Sequence, residues 1–347
     1  MSKVRVVIVD DSPTMRAVIR TVLNTDPGIK VVGEAGDAYE ARDLIKALNP
    51  DVLTLDIEMP RMSGLDFLEK IMTLRPMPVI MLSSLTKRGA VDTFRALSLG
   101  AFDCVAKPTS GDYIAAVSHL PSLIHAASQY KPKSKSNAAE PMAAPSVISD
   151  YRPNSSVVAI GASTGGVEAL MNVLKRYPAN CPPTVITQHM PESFLATFAQ
   201  RLDRTIAPVV SIAKDGSPLL SGQVYLAPGG ENHLELVGKM NFTCRLLAGP
   251  KVTGHRPSVD VLFNSVARSA GPRGVGVILT GMGKDGAQGL AAMRQAGART
   301  IGQDAASCVV YGMPRIAHEL GGVQQQLSLS QIGERVISLC SAKRAVA

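Results

Sequence analysis

The chain has no tryptophan, and aromatic residues make up only 4% of its 347 positions. Proteins that read nucleic acid interleave basic side chains with stacking aromatics. No such stripe is present here, nor a Cys/His finger or an obvious helix-turn-helix pattern, so nucleic acid is not an expected partner. The five cysteines (Cys104, Cys181, Cys244, Cys308 and Cys340) are odd in number, scattered, and form no Cys-x-x-Cys. That argues against a zinc site or a disulfide framework and suits a reducing cytoplasm. No apolar run approaches the roughly 20 residues that span a bilayer. Lys3 leads through a short apolar run straight into Asp10 and Asp11, unlike a signal peptide. A cytoplasmic protein without membrane insertion is expected.

What is present divides the chain in two. Residues 1–122 carry 14 Lys/Arg against 15 Asp/Glu, whereas residues 151–347 carry 19 against 11, so the net charge of +8 resides in the C-terminal half. That half suits an acidic partner surface. Residues 129–156 are rich in Pro, Ser, Ala and Lys and have no apolar period, which reads as a tether. The expected organisation is a first domain over residues 3–122, a flexible linker over 123–154 and a second domain over 155–345.

In the first domain apolar strands (Val4–Val9, Val31–Ala35, Val52–Leu55, Val79–Leu82, Asp103–Ala106) alternate with amphipathic helical patterns. Strands apolar on both faces and separated by helices indicate a parallel sheet covered on both sides. Five such units in about 120 residues fit a flavodoxin-like (βα)5 domain, with its site at the carboxyl ends of the strands. Asp10, Asp11, Asp56, Ser83 and Lys107 fall at those ends. Clustered carboxylates suit Mg²⁺, and a cation there leaves Asp56 able to attack a phosphoryl donor, with Lys107 and Ser83 pairing with the added phosphate.

The stretches Val-Asp-Asp-Ser (9–12), Leu-Asp-Ile-Glu-Met-Pro (55–60) and Ala-Lys-Pro (106–108) resemble the receiver domain of two-component response regulators over the first 120 residues. The resemblance implies Asp56 as phospho-acceptor, Asp10 and Asp11 as magnesium-binding carboxylates, and a histidine kinase as donor. One position departs from the family. Cys104 stands three residues before the lysine, where an aromatic switch is common.

The second domain begins with the apolar run Ser156–Ile160 closing on Gly161-Ala-Ser-Thr-Gly-Gly166. This reads as strand, tight glycine turn and helix, with Ser163 at the apex, where helix-end N–H groups can stabilise an oxyanion. The same turn also suits a phosphate. A doubly wound, mostly parallel sheet is expected to follow, with antiparallel hairpins around Gly229-Gly230 and Gly238-Lys239. If Ser163 is a nucleophile, it needs a base and an acid on the same sheet edge. His189 directly follows the strand Thr184–Thr187, and Asp285 follows Val275–Thr280 in a glycine-rich turn. His318 and His233 sit inside helix and strand patterns, whereas His255 lies in a loop and stays open as a base; His255, Arg256 and His233 are candidate substrate contacts. Backbone N–H groups at Thr164 and Met282 are the candidates for an oxyanion hole. A dinucleotide-binding turn would need an acid at the end of the next strand, where Gln188-His189 stands instead. A phosphorylation-dependent adaptor without turnover would lack one of the three side chains, and none is missing.

Six motifs in order resemble the chemotaxis protein-glutamate methylesterase family: Gly-Ala-Ser-Thr-Gly-Gly (161–166), Gln-His-Met (188–190), Ala-Pro-Gly-Gly (227–230), His-Arg-Pro-Ser-Val-Asp (255–260), Leu-Thr-Gly-Met-Gly-Lys-Asp-Gly (279–286) and Tyr-Gly-Met-Pro (311–314). The resemblance spans nearly the whole chain. It implies a serine hydrolase acting on γ-glutamyl methyl esters of chemoreceptors, often also a deamidase of receptor glutamines. It further implies an unphosphorylated receiver that covers the active site, and an esterase that needs no cofactor of its own.

Overall fold

The computed structural model describes residues 2–107, 113–132 and 151–342. The chain forms two compact units, one on either side of residue 140.

The first unit runs β1 (Val4–Val9), α1 (Pro13–Leu23), β2 (Ile29–Ala35), α2 (Ala38–Leu48), β3 (Val52–Asp56), α3 (Gly64–Leu74), β4 (Val79–Ser84), α4 (Lys87–Leu99), β5 (Asp103–Lys107), α5 (Tyr113–Ala116) and α6 (Leu120–Gln129). The five strands form one parallel sheet in the order β2-β1-β3-β4-β5. Val6, Val7, Ile8 and Val9 are all buried, so both faces of β1 are covered, as the unbroken apolar run requires. Short capped turns lead from strand to helix. Ser12 accepts from Met15 N–H with Pro13 in the first helical turn, and Ser63 accepts from Asp66 N–H. These turns keep the chemistry-bearing residues close to the strand ends.

The linker expected from residue 123 begins later, because residues 120–129 are helical. Leu120, Leu123, Ile124 and Ala127 of α6 are buried, and Pro121 sits in its first turn, where a missing N–H costs nothing. The far end differs as well. Tyr151 is buried with its hydroxyl donating to Cys340 O (3.3 Å), and Asn154 N–H donates to the same carbonyl (2.8 Å), so residues 151–154 belong to the second unit. Residues 133–150 lie outside the described residues.

The second unit runs β6 (Val157–Ala162), α7 (Gly166–Leu174), β7 (Thr184–Gln188), α8 (Glu192–Asp203), β8 (Val209–Ile212), β9 (Gln223–Leu226), β10 (Asn232–Val237), β11 (Thr243–Ala248), α9 (Val259–Ala270), β12 (Gly274–Ile278), α10 (Ala287–Gln295), β13 (Arg299–Gln303), α11 (Met313–Glu319), β14 (Gln325–Leu327) and α12 (Leu329–Leu339). Seven strands form a parallel sheet in the order β14-β13-β12-β6-β7-β9-β8. From β6 the chain first builds outward through β7, then returns to lay β12 on the other side, so strand order reverses at β6. An open α/β sheet presents its crevice at such a reversal.

Only one of the two expected hairpins forms. β10 and β11 pair antiparallel across the turn at Gly238-Lys239, whereas the Gly229-Gly230 turn carries the chain out of the parallel sheet, from β9 to β10. The hairpin stands on α9. Ser265 Oγ accepts from Leu236 N–H (2.8 Å), Ser269 Oγ donates to Leu236 O (2.9 Å), and the buried Glu235 carboxylate is met by Arg268 Nη2 at 2.9 Å and Arg245 Nε at 2.9 Å. The other side of α9 packs on the sheet through Val259, Leu262, Phe263 and Val266, in the core that also holds Val157, Ala159 and Ile278. A helix clamped on both sides holds its N-terminus in a fixed place, and that N-terminus is used.

Candidate active site

Ser163 stands where β6 ends. Its N–H donates to Thr280 O (3.0 Å) beyond β12, and its carbonyl accepts from Gln188 Nε2 (3.0 Å) at the end of β7. Gln188 Nε2 also donates to His189 O (3.2 Å), and His189 N–H donates to Ala162 O (3.1 Å). The serine turn is thus tied to the strand on each side of it. Gly165 caps α7 at φ +74°, a conformation glycine adopts without strain. Gly281 comes so close that an added Cβ would lie 2.7 Å from Ser163 Cβ, which reserves that position for glycine.

His189 and Asp285 meet from opposite sides of that turn. His189 Nε2 lies 2.7 Å from Asp285 Oδ2, with the imidazole 7% exposed and the carboxylate fully buried. Asp285 accepts three more hydrogen bonds, from Ser258 Oγ (2.8 Å), Val259 N (2.7 Å) and Asp260 N (3.0 Å). Burying a carboxylate costs several kcal/mol. Hydrogen bonds to a charged group return about 1.5–3 kcal/mol each, so four of them outweigh that cost. The balance shows in the acidity. Burial works to raise the pKa of Asp285, but the bond and charge of His189 and the backbone amides of Asp260 and Val259 overcome it, and the pKa is lowered. Its neighbour Asp260 goes the other way. Burial and the Asp285 charge raise it, against a bond from Gly289 N (2.7 Å).

With Nε2–H committed to Asp285, His189 Nδ1 is the ring atom left for proton transfer. It is buried and has no hydrogen-bond partner among the described residues. The α9 N-terminus supplies what a carboxylate there wants, two backbone N–H groups and a capping hydroxyl. We expect Ser258→Ala to remove one bond to Asp285 and the cap on Val261 N–H together. Urea unfolding should then show a loss of about 1–2 kcal/mol.

Thr164 is buried at the start of the turn into α7, its carbonyl accepting from Thr280 Oγ1 (3.0 Å); Met282 directly follows Gly281. His318 lies in α11 and is not part of this cluster. Two residues that sequence reasoning left loosely placed prove to be structural neighbours of the His189–Asp285 pair. The His255 ring stacks on His189, with centroids 3.7 Å apart and planes 4° from parallel. His233, read as an ordinary strand residue, accepts from Ser258 N–H at Nδ1 (3.1 Å) and bonds Pro250 O through Nε2 (2.9 Å). Ser258 itself was missed, although a serine followed by Val-Asp-Val-Leu-Phe carries a helix-start signal.

In the first unit Asp10 and Asp56 are buried at the ends of β1 and β3, and Asp11 is exposed beside them. Carboxylate oxygens of all three lie within 4.8 Å of one another. Lys107 Nζ bridges Asp10 Oδ2 and Asp56 Oδ2, at 2.7 Å from each. Burial pushes Asp56 up to about 6, with Lys107 opposing and Asp10 adding to the rise. For Lys107 burial works to lower the pKa, but Asp56 and Asp10 outweigh it and the value is raised. An all-oxygen donor set with too much negative charge for one lysine fits a hard divalent cation such as Mg²⁺. Ser83 reaches the same edge, yet its hydroxyl donates to Gly89 O (3.0 Å) rather than to a carboxylate. Cys104 Sγ is 3.8 Å from Thr93 O, so the position where the family often has an aromatic faces α4 with a small thiol.

Comparison with known proteins agrees with this division. The response regulator receiver domain profile matches residues 6–118, and the CheB methylesterase profile matches residues 158–336. The chain belongs to the CheB methylesterase family. It is 58% identical to protein-glutamate methylesterase/protein-glutamine glutaminase 1 of Caulobacter vibrioides over 345 residues, covering 99% of this chain and 100% of that one. It is 49% identical to the Salmonella typhimurium protein-glutamate methylesterase/protein-glutamine glutaminase over 349 residues, 100% and 99% of the two chains. Among solved structures, the CheB methylesterase catalytic domain of Thermotoga maritima superposes with a TM-score of 0.52 at 37% identity, covering 54% of this chain and 99% of that domain. Among the described residues no helix is long and apolar enough to cross a membrane.

Proposed function

We infer that this member of the CheB family is a phosphorylation-activated hydrolase. It removes methanol from γ-glutamyl methyl esters of chemoreceptors and deamidates receptor glutamines, in chemotaxis adaptation. The observation that carries the chemistry is the 2.7 Å pairing of His189 Nε2 with a buried, four-bonded Asp285 on the rim that bears Ser163. The full-length match to relatives named methylesterase/glutaminase supports the substrate class.

Ser163 Oγ attacks the ester carbonyl and passes its proton to His189 Nδ1. The resulting imidazolium keeps its Nε2–H bond to Asp285, which stabilises the charge. N–H groups of Thr164 and Met282 stabilise the oxyanion. Nδ1 then returns the proton to the departing methoxide, and methanol leaves an acyl-serine. Water gives its proton to Nδ1, attacks the acyl carbon and releases glutamate with Ser163 restored. A glutamine side chain follows the same course with ammonia as leaving group, so one site serves both reactions.

In the receiver unit Asp56 is the phospho-acceptor, with a chemotaxis histidine kinase as donor. Asp10, Asp11 and Asp56 would hold Mg²⁺, which neutralises the carboxylates and the incoming phosphoryl group. Lys107 pairs with the added phosphate, and Ser83 bonds it after leaving Gly89 O. The test is methanol release from methylated receptor membranes, with and without a small phosphodonor. Wild type should be stimulated, and Asp56→Ala should stay at its basal rate in both conditions. Equal stimulation of the two would end the account of regulation, and no methanol from either would end the account of activity.

A further inference from the structure

One loop supplies both supports of the base. Between β11 and α9, residues 249–258 are held at their two ends by a single imidazole. His233 accepts from Ser258 N–H at Nδ1 and bonds Pro250 O through Nε2. The middle is held by Arg256, whose guanidinium donates to Gly230 O (2.7 Å), Gly249 O (2.7 Å) and Glu231 Oε1 (2.9 Å). At the tip, Thr253 (φ +52°) and Gly254 (φ +83°) form a tight turn closed by mutual backbone bonds between Val252 and His255. A non-glycine residue with positive φ is strained, so it persists only where its surroundings impose it. This much anchoring delivers two groups to one place: Ser258 Oγ to Asp285, and the His255 ring flat against His189.

We propose that His255 is a positioning residue for the base: its ring, stacked on His189, fixes the imidazole plane so that Nε2 stays on Asp285 and Nδ1 is left to take the proton. A hydrogen bond to Asp285 fixes one atom of the His189 ring but leaves rotation about that bond free. A parallel face at 3.7 Å removes that freedom and excludes water from one side of the ring. The role requires a flat face and not the His255 nitrogens. Phenylalanine therefore substitutes for it, since a phenyl face also accepts the imidazolium formed during turnover.

The proposal rests on the esterase reading, so two measurements are needed. The full-length protein with phosphodonor is assayed for methanol release from methylated receptor membranes, giving kcat and KM. It is also assayed for the rate of Ser163 sulfonylation by phenylmethylsulfonyl fluoride, which needs the activated serine but no receptor. His255→Ala and His255→Leu should each lower kcat about 10- to 100-fold with KM nearly unchanged, as expected for a misaligned catalytic group. Sulfonylation should slow in parallel, and His255→Phe should restore both to within about threefold, a change too small to reflect misalignment. Leucine fills the site without a flat ring, so a difference between Leu and Phe variants with equal thermal midpoints is not a folding effect. Unchanged kcat in the Ala and Leu variants would overturn the proposal. So would a rise confined to KM, which would mark His255 as a substrate contact. A Phe variant as slow as the Ala variant would also overturn it, since the nitrogens would then be at work. If wild type is sulfonylated but releases no methanol, the esterase reading fails, and the sulfonylation series still decides the role of the stack.

Discussion

Replacing Ser163 with alanine should abolish methanol release, with kcat falling about 10⁵- to 10⁶-fold, the range for loss of a triad nucleophile. The fold should be unaffected. The hydrogen bonds that fix the turn run through Ser163 N–H and C=O, to Thr280, Gly166 and Gln188, and alanine keeps all of them. Thermal unfolding should therefore superpose on wild type while turnover vanishes. Two results would oppose the assignment. Retained methanol release would mean another nucleophile, and a lost unfolding transition would mean that the serine is structural. The same substitution should leave phosphorylation at Asp56 intact, because that chemistry lies in a unit with its own sheet and core.

Much of this arrangement was legible in the residues, and the reason is topological. In a parallel sheet all carboxyl ends share one edge, so a residue read as following a strand is already assigned to a rim. Ser163, His189, Asp285, Asp10, Asp56 and Lys107 were placed by that reasoning; five of them lie at the strand end or one residue past it, and Asp285 lies in the turn that follows β12. Residues that act from loops and helix starts offered no such handle. His255 reaches His189 through a ten-residue excursion whose course depends on Arg256 and His233, and no local pattern announces a stacked ring. Ser258 acts through the start of α9, which follows that excursion rather than a strand. Two strands of the second unit carry little apolar signal. β14 is only Gln-Gln-Leu at the sheet edge, and β13 begins on Arg299 and contains Gly302. The Gly229-Gly230 turn was misread because a double glycine between two short strands matches a hairpin signal, whereas here it marks departure from one sheet to another.

The second large effect concerns the acid. Asp285→Asn should lower kcat about 10³- to 10⁴-fold, as expected when the group that fixes the tautomer of the base is replaced by its amide. The geometry gives a specific reason. Four donors converge on two oxygens: Ser258 Oγ and Asp260 N on Oδ1, and His189 Nε2 and Val259 N on Oδ2. Asparagine has one oxygen, so in either orientation its NH₂ group faces a backbone N–H. Facing His189, it also forces the proton onto Nδ1, the atom needed as base. The clash should lower stability by about 1–3 kcal/mol, the cost of a buried donor without an acceptor. That deficit should depend on pH in a defined direction. The pKa of Asp285 is lowered by folding, so its contribution is complete above the ordinary carboxyl range near 4 and disappears as pH falls through the lower folded value. Unfolding curves of wild type and Asp285→Asn should thus differ at neutral pH and converge in acid. Asp260→Asn is the control. Asp260 bonds Gly289 N rather than His189, and it should leave kcat within a few-fold. If Asp260→Asn were the slow variant and Asp285→Asn the fast one, the acid of the triad would be the wrong carboxylate of the pair.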